Sequence, residues 1–570
     1  MPIRRLLCMS ALIGLSFSAP VRAQDPGSGF AGAFLAARHA SYNSDFRAAA
    51  DYYTRALSRD RTNPALQESA MLAYVGLGKV DSAVPIARQM RSVGLRNQMA
   101  NLVFLVHQLK SGDYAEMAAA LEADEIGIGP LVDSLARAWS LLGDEQVDAA
   151  ATAFDEAVKS TRLAAFGLYH KALALALAGD FEASDQVFAG KGGAPLRLTR
   201  RGAIAHSQVL SQLGRNEAAL ELIRTGWGND LDPGLEELVA RLEAGEKIPF
   251  TQVRNVQDGL AEVFYTVADV LEGEAADSYT LMYTRMAEYL NPEHVDAILL
   301  SAGLLEAQGQ FDLATEAYDR VPRDAAGFHV AEMGRAAALH ASGKVEAAIE
   351  VMEQLAETHG DMVIVHVSLG DSLRNEERFE EAVAAYDDAV DQFEEDERGQ
   401  WIVYYARGIS HERLEHWDQA EADFRKALEL NPGQPQVLNY LGYSYVEMET
   451  NLDEALSMIV QAVEAEPDSG YIVDSLGWVL FRLGRYPESV VHMERAAELM
   501  ATDSIVNDHL GDVYWSVGRK TEAEFQWHRA LSFDPEPEEA ERIRRKLEVG
   551  LDMVLEEEGA DPLTVVNEEG

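Results

Sequence analysis

His411-Glu412-Arg413-Leu414-Glu415-His416 comes within one residue of H-E-x-x-H, the spacing at which one helix presents two imidazoles to zinc and a carboxylate to the attacking water. The extra residue is decisive. Histidines five apart on a helix point about 140° apart, so the two cannot share one ion. Gly190-Lys191-Gly192-Gly193 is the nearest approach to a phosphate-cradling loop, but it runs on into Ala-Pro rather than into a helix start, and the order G-x-x-x-x-G-K-[ST] is absent. It reads as a flexible connection. No G-x-S-x-G nucleophile elbow occurs. Acidic residues number 95, so close carboxylate pairs arise by coincidence. The single cysteine, Cys8, excludes an intramolecular disulfide and a multi-cysteine metal site. The expectation is a chain without catalysis, metal or cofactor.

Cys8 also falls inside a segment that reads as an export signal. Arg4 and Arg5 form its basic end, Leu6 to Phe17 its apolar core, and Val21-Arg22-Ala23 a small-x-small cleavage site before Gln24. The apolar core is too short to span a bilayer. Arg4-Arg5 lacks the rest of a twin-arginine signature, which favours the general secretory route. Cys8 precedes most of the apolar core, where a lipoprotein cysteine would follow it, so a lipid anchor is not expected. The expected location is periplasmic. With 48 basic against 95 acidic residues, the formal charge of −47 argues against nucleic acid or anionic lipid as a partner.

A repeat organises the rest. Leu441-Gly442, Leu476-Gly477 and Leu510-Gly511 recur at 34 to 35 residues. Each is followed by Ala455, Ser489 or Ala523, then by Ala462, Ala496 or Ala530, and Pro467 and Pro535 close two of the copies. Upstream, Tyr404, Gly408, Ala420, Phe424, Ala427 and Pro432 keep the same spacing. This is the tetratricopeptide (TPR) pattern. Each copy is an antiparallel helix pair whose axes cross at a small residue, with aromatic and aliphatic side chains filling the space around it. A hairpin of this kind cannot bury its apolar face alone and must stack. The expected fold is all-α, a TPR solenoid forming a right-handed superhelix of antiparallel helix pairs.

From 24 to 225 the repeat is eroded, but the crossing positions Ala37, Met71, Leu105, Ala138, Ala172 and Ser207 hold intervals of 33 to 35. Residues 226–260 carry turn signals around one helical run, including Asp232-Pro233-Gly234 and Pro249-Phe250, and read as an irregular interruption or hinge between two blocks. From 261 to 535 the ladder resumes through Ala268, Ala302, Ala336, Gly370, Gly408, Gly442, Gly477 and Gly511. Residues 536–558 read as one amphipathic capping helix with Ile543, Leu547, Leu551 and Val554 inward, and 559–570 as an acidic tail.

With no chemistry to position, the elements position a surface. In such a solenoid the first helix of each pair lines a concave groove through residues three before, one after and four after the crossing. Here these positions and their neighbour Arg482 give Tyr405, Asn439, Tyr443, Asp474, Trp478, Phe481, Arg482, Asp508, Asp512 and Trp515 as candidate protein-binding residues. Trp478, Phe481 and Trp515 either offer their rings to a partner or pack against the next repeat. TPR grooves that clamp a terminal carboxylate use Asn and Lys or Arg, whereas this groove is aromatic and acidic and suits a segment bearing apolar and basic side chains.

The string Leu438-Asn439-Tyr440-Leu441-Gly442-Tyr443, Asp474-Ser475-Leu476-Gly477-Trp478, Leu483-Gly484-Arg485 and His509-Leu510-Gly511-Asp512-Val513-Tyr514-Trp515 resembles the C-terminal repeats of a family of bacterial envelope TPR proteins. That family includes the lipoprotein adaptor of a periplasmic carboxyl-terminal processing protease. The resemblance implies a non-enzymatic scaffold that brings substrates to such a protease. The alternative is a structural subunit of an envelope assembly, secretion, pilus or polysaccharide-export machine.

Overall fold

Close packing at one small residue per hairpin dictates the architecture. In the computed structural model, which describes residues 30–123, 126–158, 164–190, 196, 198–228, 231–560 and 563, helices alternate with short turns and no strand occurs among the described residues. The expected export signal at 1–23 and all but three residues of the expected acidic tail lie outside the described residues. At the crossings, a Cβ on Gly370 would stand 2.6 Å from the Tyr386 ring, on Gly408 2.7 Å from Phe424, and on Gly511 2.4 Å from Trp527. At these three crossings only a residue without a side chain lets the second helix lay its aromatic against the first. Seven residues after every crossing but Ala268 the first helix ends in left-handed backbone. The residue there is glycine at eight positions, from Gly78 to Gly518, and Ser44, Glu145, Glu377, Glu415 or Glu449 elsewhere. Glu415 falls between His411 and His416, so these histidines stand on consecutive helices, Trp401–Arg413 and the start of Trp417–Leu430, and not on one helix as their spacing suggested.

The described residues form two compact units that meet between Val351 and Met352 in the chain. The sequence placed an irregular helical interruption or hinge at 226–260; the structure holds one helix, Pro233–Glu243, and an extended run there. In the first unit six helix pairs run from Phe30–Tyr42 to Asn216–Trp227, followed by the helix Pro233–Glu243. The chain then extends through Glu246–Gln252 along the helix Arg200–Gln212. Ser211 Oγ accepts from Ile248 N at 2.9 Å, Gln208 Oε1 accepts from Thr251 N at 2.9 Å, and Gln212 Nε2 donates to Ile248 O at 2.5 Å. Gln208 and Ser211 stand one and four after the crossing at Ser207, on the groove side of their helix. Side chains there satisfy an extended backbone as a sheet edge would.

Beyond this run, Val256–Leu271 and Asp277–Leu290 pack against the first helices Pro64–Gly76, Gln98–Lys110, Pro130–Gly143 and Ala164–Leu177. The row of first helices is the face that repeat geometry reserves for a partner, and here it is covered by the chain itself. Trp139, one after its crossing, presses on Gly259, where a Cβ would stand 2.5 Å from the ring. Tyr289 lies under Lys110, whose Nζ is 3.8 Å from the ring centroid, and its hydroxyl is 3.1 Å from His107 Nδ1. One hydrophobic core therefore runs from Met71 to Ala338.

A buried polar cluster fixes the register of this closure. The Glu262 carboxylate accepts from Arg201 at 3.0 and 2.6 Å, from the Tyr169 hydroxyl at 2.8 Å, and lies 3.2 Å from His294 Nε2. Burial pushes this carboxyl up, but Arg201 and His294 outweigh it and hold it well below the usual range. Beside it the Trp139 indole donates to His170 Nδ1 at 3.2 Å.

In the second unit five helix pairs run from Val363–Asn375 to Lys520–Leu531. The expected single capping helix is two, Pro537–Val549 and Leu551–Glu558, because Gly550 adopts φ +86° where a Cβ would stand 2.4 Å from the Trp515 ring.

Two expectations follow for the first unit. Trp139→Ala costs roughly 3–5 kcal/mol through lost burial and a cavity, and hydrogen exchange quickens together in 130–143 and 256–271, a pairing that a simple stack of neighbours would not show. Burial pushes the His170 imidazole down to about 4. An unfolded imidazole takes up its proton near its ordinary value of about 6.5, so the folded state binds fewer protons between these values and loses stability as pH falls through them. The stability difference between the parent and His170→Gln, followed by urea unfolding, narrows from pH 7 to pH 4.5.

Candidate functional site

The groove positions of the second unit meet three different fates, set by what the next element offers them. At the last pair, Asp508 and Asp512 are closed off. The Lys546 ammonium, from Pro537–Val549, lies 2.7 Å from Asp508 Oδ2 and 2.7 Å from both Asp512 oxygens, and Trp527 Nε1 donates to Asp512 at 2.9 Å. Trp515 packs on Trp527 and donates its indole N–H to Asp552 at 2.9 Å. These three residues, expected to face a partner, face the chain's own terminal helices. The helix could not be paired with them from spacing alone, because Lys546 lies outside the repeat.

One pair earlier, Trp478 and Phe481 are buried rather than displayed. Trp478 stacks on His509 of the next repeat at 4.0 Å and on Phe481 at 4.9 Å, and its indole donates to Glu447 at 2.9 Å. Of the two readings left open by the sequence, the ring takes the one between repeats. Asp474 holds His509 Nδ1 at 2.9 Å. Burial alone would lower the His509 imidazole, but the Asp474 charge and hydrogen bond outweigh it and raise it. Arg482 is half-buried and ion-paired with Glu449. His509 and Glu447 are thus site residues that the repeat positions did not single out; an aromatic and a histidine one repeat apart was the available signal.

The remaining candidates border an open cleft of about 600 Å³. Asn439, Tyr443 and Asp474 line it with Glu412, Arg413, Glu415, Glu447, Tyr471, Ile505 and His509. It spans the first helices Trp401–Arg413, Pro435–Glu447, Gly470–Arg482 and Ser504–Ser516. Tyr405 stands behind it, edge-on to Tyr440 at 5.9 Å. Burial, with Glu447 and Asp474 nearby, raises the Tyr443 hydroxyl well above its usual value, so it remains an O–H donor. Four carboxylates face one guanidinium and one imidazole. Such a surface can bind by shape, aromatic contact and charge.

This is the site of a helix-repeat scaffold. Models of the tetratricopeptide repeat match residues 135–189, 333–397 and 401–434. A TPR repeat-containing protein of Pseudomonas aeruginosa is 28% identical over 221 residues, which is 38% of this chain and 36% of that relative, so the match spans about a third of the relative's length. Among solved structures, the APC/C hetero-tetramer Cut9-Hcn1 aligns over 92% of this chain and 96% of its own at 15% identity and a TM-score of 0.37. YrrB, a TPR protein with an unusual peptide-binding site, aligns over 35% of this chain and 99% of its own at 20% identity and a TM-score of 0.28. The chain carries tetratricopeptide repeats, a type that builds protein-interaction scaffolds. Among the described residues, no helix is long and apolar enough to cross a membrane.

Because the Trp478 ring is sandwiched between repeats, Trp478→Ala removes core packing. It costs roughly 3–5 kcal/mol and lowers the melting temperature by several degrees in calorimetry. An unchanged melting temperature would put the ring in solvent.

Proposed function

We propose that the chain is an exported, non-enzymatic scaffold of the cell envelope that holds a protein partner in the cleft of its second unit and brings substrates to a periplasmic protease. The observation that carries this reading is the contrast between the two grooves. In the first unit the row of first helices is covered by Val256–Leu290, whereas in the second a cleft of about 600 Å³ stays open. An open groove on a repeat scaffold supports binding, and the resemblance of 438–515 to envelope adaptors supports this class of partner. Such an adaptor needs no chemistry, since holding protease and substrate on one chain raises their effective concentration.

The test is affinity capture from a crosslinked envelope fraction with residues 24–570, alongside a Tyr443→Ala chain, with bound proteins identified by mass spectrometry. A serine protease with a cell-wall hydrolase, both depleted on the Tyr443→Ala chain, is the expected result. Recovery of an export or pilus apparatus with no protease would overturn the adaptor reading in favour of an assembly subunit.

A further inference from the structure

The second unit already binds one basic helix, its own. Lys546 is fully buried, and its ammonium meets Asp508 and Asp512, the groove positions about Gly511. Ile543 and Leu551 are buried beside it. A buried ammonium is held only when acceptors replace its water, and here three carboxylate oxygens within 2.7 Å do so. The groove chemistry of this chain is therefore shown at one station: two acidic positions read a lysine on an amphipathic helix.

Two repeats and one repeat earlier, the positions equivalent to Asp508 carry Asn439 and Asp474 and those equivalent to Asp512 carry Tyr443 and Trp478; Asn439, Asp474 and Tyr443 line the open cleft. Asn439 is 8% and Asp474 6% exposed. Asn439 Oδ1 and Asp474 Oδ1 are both buried without a hydrogen-bond partner, although Asp474 gives its other oxygen to His509. Buried acceptors without donors are unfavourable and rare in native proteins. Around them Glu412, Glu415 and Glu447 face Arg413, so the surplus charge is negative.

We propose that this cleft takes an amphipathic helix of a partner protein and reads a lysine or arginine on it, with Asp474 and Asn439 as acceptors and Glu412 and Glu447 at the rim. The partner's apolar face lies on Tyr443, Tyr471 and Ile505. This deepens the scaffold reading and rests on it; it adds that recognition is of a cation on a helix, the reverse of a carboxylate clamp.

The test uses chain 24–570 and fluorescein-labelled helical peptides of fourteen residues built from Leu and Lys, read by fluorescence anisotropy at physiological salt. One peptide places Lys in the seam of its Leu face, a second replaces the seam Lys by Gln, and a third is a scramble of equal charge. The seam-Lys peptide binds about tenfold tighter than the other two. Asp474→Asn weakens it severalfold. Because that variant also disturbs His509, the rim pair Glu412→Gln with Glu447→Gln, which keeps an amide oxygen to accept from the Tyr440 hydroxyl and the Trp478 indole, serves as the second test and gives a similar loss. The exposed pair Asp453→Asn with Glu464→Gln, on Leu452–Ala465, leaves binding unchanged. Equal binding of the seam-Gln peptide, or an equal loss from the Asp453 and Glu464 pair, would show diffuse charge attraction and overturn the proposal. If an envelope partner is captured equally well by the rim-pair chain, the cation site falls and the scaffold stands. If no partner is captured while the peptide series keeps its order, the scaffold reading falls and the site stands.

Discussion

The contact between a small residue on one helix and an aromatic on the next is the constraint from which the other features descend. At Gly511 and Trp527 there is no room for a single methyl group. That approach fixes the crossing of the two helices, the crossing fixes the period, and the period lines up the first helices in a row. A row of first helices is a groove whether or not a ligand exists for it. Its apolar and polar groups must be satisfied by something, and this chain answers differently in its two units.

In the first unit the answer is internal. An extended run takes its backbone partners from Gln208, Ser211 and Gln212, and two helices then fill the row behind it. The Glu262 cluster sits within this closure. Ion pairs at this depth offset their desolvation only when every lone pair finds a donor, so such a cluster adds register more than stability. Arg201, Tyr169 and His294 reach Glu262 from helices far apart in sequence, and a one-turn slip of Val256–Leu271 would leave the carboxylate buried and unpaired.

The repeat ladder was legible because its cause is local and periodic: a missing Cβ, an aromatic sixteen residues on, and a left-handed residue at seven. Even the eroded copies obey it, with Ser44 and Glu145 taking the left-handed conformation where glycine is absent. The covered groove was not legible. An apolar stripe on a helix reads the same whether it meets the next repeat or a distant one. The structure marks the departure in two ways. No left-handed residue stands seven after Ala268, and Asp277–Leu290 is buried almost all round, including Thr280, Thr284, Arg285 and Glu288, which is more than one neighbour can cover. At the candidate site, spacing put Asn439, Tyr443 and Asp474, which line the cleft, at groove positions but could not tell them from Asp508, Asp512 and Trp515. Their difference lies in Lys546 and Gly550, outside the repeat.

This difference also bears on the charge of the chain. A formal charge of −47 invites the explanation of a solvated acidic face, and many carboxylates here are exposed. The acids at groove positions are not among them. Asp474 and Asp512 are buried, and each is held by a donor from a later element, the His509 imidazole or the Lys546 ammonium. Surface acids act at long range and are screened by salt, so they speed the approach of a basic partner without choosing it. Buried acids act at contact, where a misplaced or absent cation leaves a charge unpaired, and that penalty gives selectivity. The same residue type thus has two uses in one chain, and the repeat register decides which carboxylate has which.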